Sequence, residues 1–495
     1  MEWSGFTACL EFRSNHEMVR DPRHLHFRGL EKRMITSTLS RFVVETRTDD
    51  TPSAVFAAAQ DALIDTLGVS LAGSLEPASE IAARWVVENG GQRRATVWGR
   101  PVRASAAEAA FANGISAHAL DFDDSHPSAR GHASASLIPA AIAAGEVVGA
   151  SGREVLAAYA IGLEVAAKIG RIFGHEHLQR GWHPTASVGI LGSTAVAARL
   201  WRLDAIQLER AWGLAGSQVG GLVRNFGTMT KPFHAGHAAR SGLVSAWMAK
   251  QGFTADDAIF DGQNSVLAIY GGEGEPPTAV VGSLANPWEL LDPGNFVKKW
   301  PCCYSNHRAL GGLYTLIEKH ALRAEEITGV VVGFLPGGDR ALVSRNPQTG
   351  LEGKFSVEYV IAAALLDGSI KLGTFADAMV QRAPVQALMQ KVRRVGIPDN
   401  RVYSGITGYN DIAVTTPRGC FELREERVPG SPRWPMTLQD RIAKFTDCAQ
   451  LALGSARTVH LLDRLQRCLE LPDISEITAA TVPAGRVGAA ENIGR

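Results

Sequence analysis

The chain has no surplus of charge. Its 495 residues carry 50 basic and 50 acidic side chains, so no overall field draws it to nucleic acid or to an anionic membrane. A local cluster of cations can still gather a small acidic substrate. Cysteine is scarce, six residues in all, too few and too scattered for a disulfide scaffold. Cys302 and Cys303 are adjacent, but no second pair stands at zinc-ribbon spacing, and no ligand set for an iron-sulfur cluster is present. Long apolar runs are missing too. Residues 138–150 and 188–200 fall short of the ~20 that cross a bilayer and read as buried helices. No GxGxxG joins a strand to a helix and no GxxxxGK[ST] occurs, which leaves nucleotide binding without support. The N-terminus lacks an apolar core followed by a cleavage site, so residues 1–35 read as an extension, with Met34 as an alternative beginning. The expected compartment is a reducing cytoplasm.

What is present is mostly helical. Apolar residues make up 45% of the chain, and 51 glycines alongside abundant alanine suit closely packed helices. Pro52 opens a helix expected over 51–71. Ser151 with Glu154 forms a capping-box pattern ahead of a helix over 155–169; Thr254 with Asp257 and Thr437 with Asp440 repeat that signal. Near residue 290 the character changes. Stretches 327–335, 392–397 and 411–416 are rich in β-branched residues and suit strands, whereas 357–366 and 385–390 suit helices. The fold class is therefore a mainly α two-domain protein, with a discontinuous all-helical body and a smaller α+β lid. The body spans 36–289 and returns over 431–495; the lid spans 290–430. A cleft between the two is a natural ligand site. No fixed-period repeat is visible, and the glycine-rich run from Gly271 reads as a surface turn or mobile connection.

One stretch concentrates chemistry. HALDFDDSHPSARGH, His118 to His132, holds three carboxylates and three imidazoles at the end of an apolar helical run, interrupted by Pro127 and Gly131, so it leaves a helix and enters a loop beside a pocket. Asp123 suits a helix cap or ion pair as well as a catalytic role. Asp123, Asp124, His126 and His132 offer oxygen and nitrogen ligands, but at no strong metal spacing. Four further stretches combine proton-transfer or anion-binding groups with small residues: GWHPTASVG at 181–189, GTMTKPFHAGHAARSG at 227–242, VKKWPCCYSNHRALGG at 297–312 and VEYVIAAALLDG at 357–368.

Together, ALDFDDSH, GHASASLIPA, WHPTASVG, MTKPFHAGHAARSG and KKWPCC resemble the MmgE/PrpD family, whose members include 2-methylcitrate dehydratase, cis-aconitate decarboxylase and iminodisuccinate epimerase. The resemblance runs from about Ser37 to Leu471. It implies a homodimer whose pocket lies between helical body and lid, working on a small di- or tricarboxylate without metal or cofactor. By motif it assigns Asp123, His132, His183, Lys231, Lys298 and Tyr359 to the active site. His126, His234, Lys299 and Cys303 fall beside it, as substrate contacts or supporting groups. Cys303 stands where the animal-type decarboxylase has a histidine. Lys231 and Lys298 suit carboxylate binding and stabilisation of enolate-like charge. His132 or His183 suits proton transfer near neutral pH, with Asp123 orienting one of them. Tyr359 either supplies a leaving-group proton, positions substrate or anchors a helix. The expected reaction is dehydration of a hydroxy tricarboxylate such as 2-methylcitrate, with decarboxylation or epimerisation as the alternative and a non-enzymatic carboxylate-binding homodimer further behind.

Overall fold

The computed structural model describes residues 34–403 and 407–484. The expected extension, Cys9 included, lies outside them except for Met34 and Ile35, which already belong to the first helix. Nine longer helices build the body up to residue 250: α1 (Met34–Glu45), α2 (Ser53–Gly73), α3 (Pro77–Asn89), α4 (Ala106–His118), α5 (Ala133–Val148), α6 (Gly152–Phe173), α7 (Pro184–Leu200), α8 (Ala205–Gly216) and α9 (Thr230–Lys250). The start of α1 is capped from far away: the Asp261 carboxylate accepts from the backbone N–H groups of Ile35 and Thr36 at 2.9 and 3.0 Å, satisfying donors that a helix start leaves unpaired. The Ser151/Glu154 capping box opens α6 as its sequence pattern implies. Thr254 opens no helix. The Asp256 side chain accepts from Ala258 N at 2.8 Å instead, a local turn that competes with helix entry.

The lid carries α10 (His307–His320), α11 (Val357–Asp367) and α12 (Ala383–Met389) against a four-stranded sheet. Besides a short hairpin in the body, β1 (Ala95–Val97) with β2 (Val102–Ala104), the strands are β3 (Gly329–Phe334), β4 (Val392–Gly396), β5 (Asn410–Thr416) and β6 (Gly419–Glu425). Their order is β4-β3-β5-β6, with β3 and β4 parallel and the other pairs antiparallel. The sequence reading missed β6, because GCFELRE alternates around charged, exposed residues on an edge strand and lacks the β-branched run that marks a buried one.

After the lid the chain returns through α13 (Leu438–Leu453) and α14 (Ser455–Gln466). Thr437 and Asp440 form the capping box of α13. Phe445, Leu461, Leu465, Ile474 and Ile477 join the same apolar core as Leu39, Leu63 and Leu156, whereas Trp300 through Val414 supply a separate lid core. One expectation needs correction: α2 is long and apolar enough to cross a membrane by length and composition. It is a core helix here, with Val55, Leu63 and Leu67 buried and Asp65 paired to Lys444 of α13 at 2.6 Å. The glycine-rich run is also pinned, since Gly272 N and Glu275 N donate to the Phe173 and Arg171 carbonyls at the end of α6.

Candidate active site

Two helices meet without side chains between them. A Cβ on Gly114 of α4 would stand 2.7 Å from the Gly236 Cα of α9, and one on Gly236 would stand 2.3 Å from the Phe111 carbonyl. Only glycine permits that approach. It brings the end of α4, His118, against the first turn of α9, Lys231.

Beyond His118 the chain reverses sharply. Asp121 takes a left-handed conformation, φ 52°, which aspartate tolerates better than most residues. The loop is then clamped from several sides. Ser125 and Phe296 exchange backbone hydrogen bonds at 2.9 and 2.8 Å, and Lys444 donates to the Phe122 carbonyl at 2.9 Å. His126 Nδ1 accepts from Ala129 N at 3.2 Å, so its Nε2–H donates to the Glu289 carbonyl at 2.9 Å. His126 is thereby a loop strut. Gly131 passes so close to α7 that a Cβ would meet Thr185 N at 2.8 Å.

The result is a buried charge cluster. Lys231 Nζ lies 2.7 Å from both Asp121 Oδ1 and His118 Nε2. Lys298 Nζ lies 3.0 Å from the same Asp121 oxygen and donates to the Asp121 carbonyl at 2.6 Å. His118 Nδ1 stands 3.0 Å from Asp123, and His132 Nδ1 stands 3.0 Å from its other oxygen. His183 and His234 share a contact between their Nδ1 atoms at 2.9 Å, which requires one ring to donate and the other to accept. A cavity of about 140 Å³ opens on this cluster, lined in part by Asp121, His132, His183, Lys231 and Cys303.

Burial sets the proton inventory. It lowers His118 to about 3, with Asp123 opposing and Lys231 reinforcing, and it lowers His132 and His183 as well, the latter further through Lys231. Burial alone would raise Asp121, but the Lys231 and Lys298 charges outweigh it and hold the carboxyl well below its usual range. Burial likewise disfavours the charged Lys298, yet Asp121 and Asp123 raise its pKa overall. At neutral pH the cluster therefore holds the Lys298 ammonium, the Asp121 carboxylate and neutral imidazoles.

Residues 37–279 match the MmgE/PrpD N-terminal domain and residues 300–471 the MmgE/PrpD C-terminal domain. The chain belongs to the MmgE/PrpD family. Human cis-aconitate decarboxylase is 29% identical over 430 residues, covering 84% of this chain and 88% of the human protein. The mouse enzyme of that name is 30% identical over 84% of this chain and 87% of its own. Cis-aconitate decarboxylase of Aspergillus terreus is 27% identical over 72% and 77%, respectively. Membership places this MmgE/PrpD protein among enzymes of dehydratase and decarboxylase chemistry on small carboxylates.

Of the residues singled out by motif, the fold brings together Asp123, His132, His183, His234, Lys231, Lys298 and Cys303. Others it places elsewhere. Tyr359 is buried in the lid core, its hydroxyl donating to the Thr374 carbonyl and its ring packed on Phe375, so it does not line the cavity. Lys299 points away toward Asp440, 3.9 Å distant, because adjacent residues on an extended segment face opposite ways. Cys303 lines the cavity as a thiol, its pKa pushed up by burial. Two residues were overlooked. Asp121, rather than Asp123, carries both lysines, and His118 bridges Lys231 to Asp123. DFDD alone gave no signal for Asp121, because its place beside the lysines depends on its left-handed backbone, φ 52°.

His118, Asp121, Asp123 and His132 can each bring one ligand atom within 4.8 Å of the others. A divalent ion there would face the Lys231 and Lys298 ammonium groups, which already take the Asp121 oxygen. The donor set suits protein cations better than a metal.

Asp124 has another part. Its Oδ2 accepts from Ser134 Oγ at 2.6 Å and Asn295 Nδ2 at 2.7 Å, and burial pushes its carboxyl up to about 8, with Ser134 opposing and Asp65 adding. It is protonated in the fold at neutral pH but ionised in the unfolded chain. Its stabilisation is thus full below its ordinary value of 3.8 and lost as pH rises through about 8. Asp124→Asn, which mimics the protonated form, is expected to flatten the fall of the melting temperature between about pH 5 and 9; parallel pH profiles for variant and wild type would contradict this.

Proposed function

We propose that this protein decarboxylates a small unsaturated tricarboxylate of the cis-aconitate type. The observation that carries the reading is the pair of buried ammonium groups, Lys231 and Lys298, converging on Asp121, which lines the cavity. The names of the relatives favour decarboxylation over the dehydration expected from sequence. The position of Tyr359, one expected donor to a departing hydroxyl, weakens dehydration further.

In the proposed step the bond between a CH2 carbon and its carboxylate breaks, and CO2 leaves. The electron pair moves into the neighbouring C=C, shifting the double bond and placing negative charge on the far carbon and the carboxylate conjugated with it. That carbon then takes up one proton, so substrate plus H⁺ gives dicarboxylate plus CO2. Lys231 and Lys298 stabilise the enolate-like charge, which is larger in the transition state than in the resting substrate. A proton drawn from solvent reaches that carbon through a cavity-lining imidazole, His132 or His183, so both lysines keep their charge. Asp123 fixes the His118 ring through Nδ1, leaving His118 Nε2 to accept from Lys231.

The test is an NMR assay of chelator-treated protein with cis-aconitate, 2-methylcitrate, citrate and iminodisuccinate. CO2 release from cis-aconitate is the expected result. Water loss from 2-methylcitrate without CO2 release from any substrate would replace this reading with dehydration.

A further inference from the structure

A second cationic group lines the cavity away from the lysine pair. Arg130 follows the Asp/His loop and sits at φ 59°, a conformation that costs a non-glycine residue free energy. The neighbouring backbone is wedged against α6 so tightly that a Cβ on Gly170 would stand 2.2 Å from the Ser128 carbonyl. Arg130 Nε donates to the Gly170 carbonyl at 2.8 Å. A guanidinium has five N–H donors, and among the described residues the four on Nη1 and Nη2 have no protein partner. Among the described residues no carboxylate forms an ion pair with Arg130. Glu275, a carboxylate whose charge reaches Arg130, is taken by Arg171 at 2.5 Å.

Charge bookkeeping separates this end of the cavity from the other. Lys231 and Lys298 are offset by Asp121 and Asp123, so that end is close to neutral before substrate arrives. The electrostatic neighbours of Arg130 are Glu275, His175 and His177, whereas those of Lys298 are Asp121, Asp123 and Cys303. Among the described residues lining the cavity, Arg130 is the cation without an anionic partner. A planar fork held at one nitrogen, with its outer edge open, matches a carboxylate in two parallel hydrogen bonds.

We propose that Arg130 is a specificity-determining residue that anchors the central carboxylate of the substrate, the one neither lost nor conjugated with the developing charge, and so selects tricarboxylates over dicarboxylates. This rests on the decarboxylase reading for the reaction but concerns recognition alone. The anchor holds the substrate by its middle carboxylate while Lys231 and Lys298 act on the developing charge, which spends binding free energy on orientation. It also explains why a strained arginine persists in the loop.

Equilibrium binding of two unreactive probes tests this: tricarballylate, a saturated tricarboxylate, and glutarate, a dicarboxylate. Wild type is expected to prefer tricarballylate. Arg130→Gln is expected to lose about 10- to 100-fold in tricarballylate affinity, the worth of a charge-assisted hydrogen-bonded pair, while glutarate affinity changes less than about threefold. Arg130→Lys, which keeps the charge without the fork, is expected to fall between them and guards against a folding defect in the glutamine variant. An undiminished preference in folded Arg130→Gln, or an equal loss for both probes, overturns the assignment while leaving decarboxylation standing. An Arg130-dependent preference in a protein that releases no CO2 supports the assignment and sinks the reaction instead.

Discussion

Lys298→Met is expected to lower kcat/KM about 10³-fold, the loss typical of removing one preorganised group that stabilises developing negative charge. Lys298 is wholly buried, and its Nζ reaches both the Asp121 carbonyl and side chain. Methionine replaces the apolar stem at similar volume, so packing is largely kept. The loss should fall mainly on kcat, because the charge that Lys298 meets grows along the reaction. Steady-state kinetics on folded variant protein decide it. A variant that keeps kcat and only raises KM would make Lys298 a substrate clamp with no share in the chemical step.

Asp121→Asn is expected to destabilise the protein by about 3–5 kcal/mol, the cost of stripping a buried ion cluster of its counter-charge. Lys231 and Lys298 then face each other through a neutral amide, 2.7 and 3.0 Å from where the carboxylate oxygen stood. Two buried like charges cannot relax into water, so one ammonium must lose its proton or the loop must open. Adding Lys298→Met to Asp121→Asn removes the surplus charge and should recover part of the loss, a coupling that a double-mutant cycle in urea measures. Additive losses would show that Asp121 and Lys298 do not act as one unit. The cluster is thus both the proposed reactive centre and a weak point of the fold, and the loop carrying it is clamped at Ser125, His126 and Phe122.

Much of this architecture was legible because it rests on local chemistry. The Ser151/Glu154 and Thr437/Asp440 capping boxes mark real helix starts, and the valine run at 330–332 marks the central strand. The return of the chain to the body was legible from the change of pattern after the lid. What the sequence hid depends on pairs distant along the chain. The Gly114–Gly236 contact that sets His118 on Lys231 is visible only once α4 and α9 are packed. The choice between Asp121 and Asp123 turns on one left-handed residue, which no spacing rule reveals. Tyr359 matched a motif, but its register on α11 aims the ring into the lid core, where Thr374 takes its hydroxyl. Arg130 carried no signal at all, since its meaning comes from the lack of a carboxylate near it.

The most direct test of the central claim is the decarboxylation assay run in heavy water with purified, chelator-treated protein and cis-aconitate. The account predicts CO2 in equal amount to the dicarboxylate formed, with one deuterium on its saturated CH2 carbon and none on the new terminal alkene. Deuterium exchange into substrate with no CO2, or turnover confined to loss of water from a hydroxy acid, would contradict it.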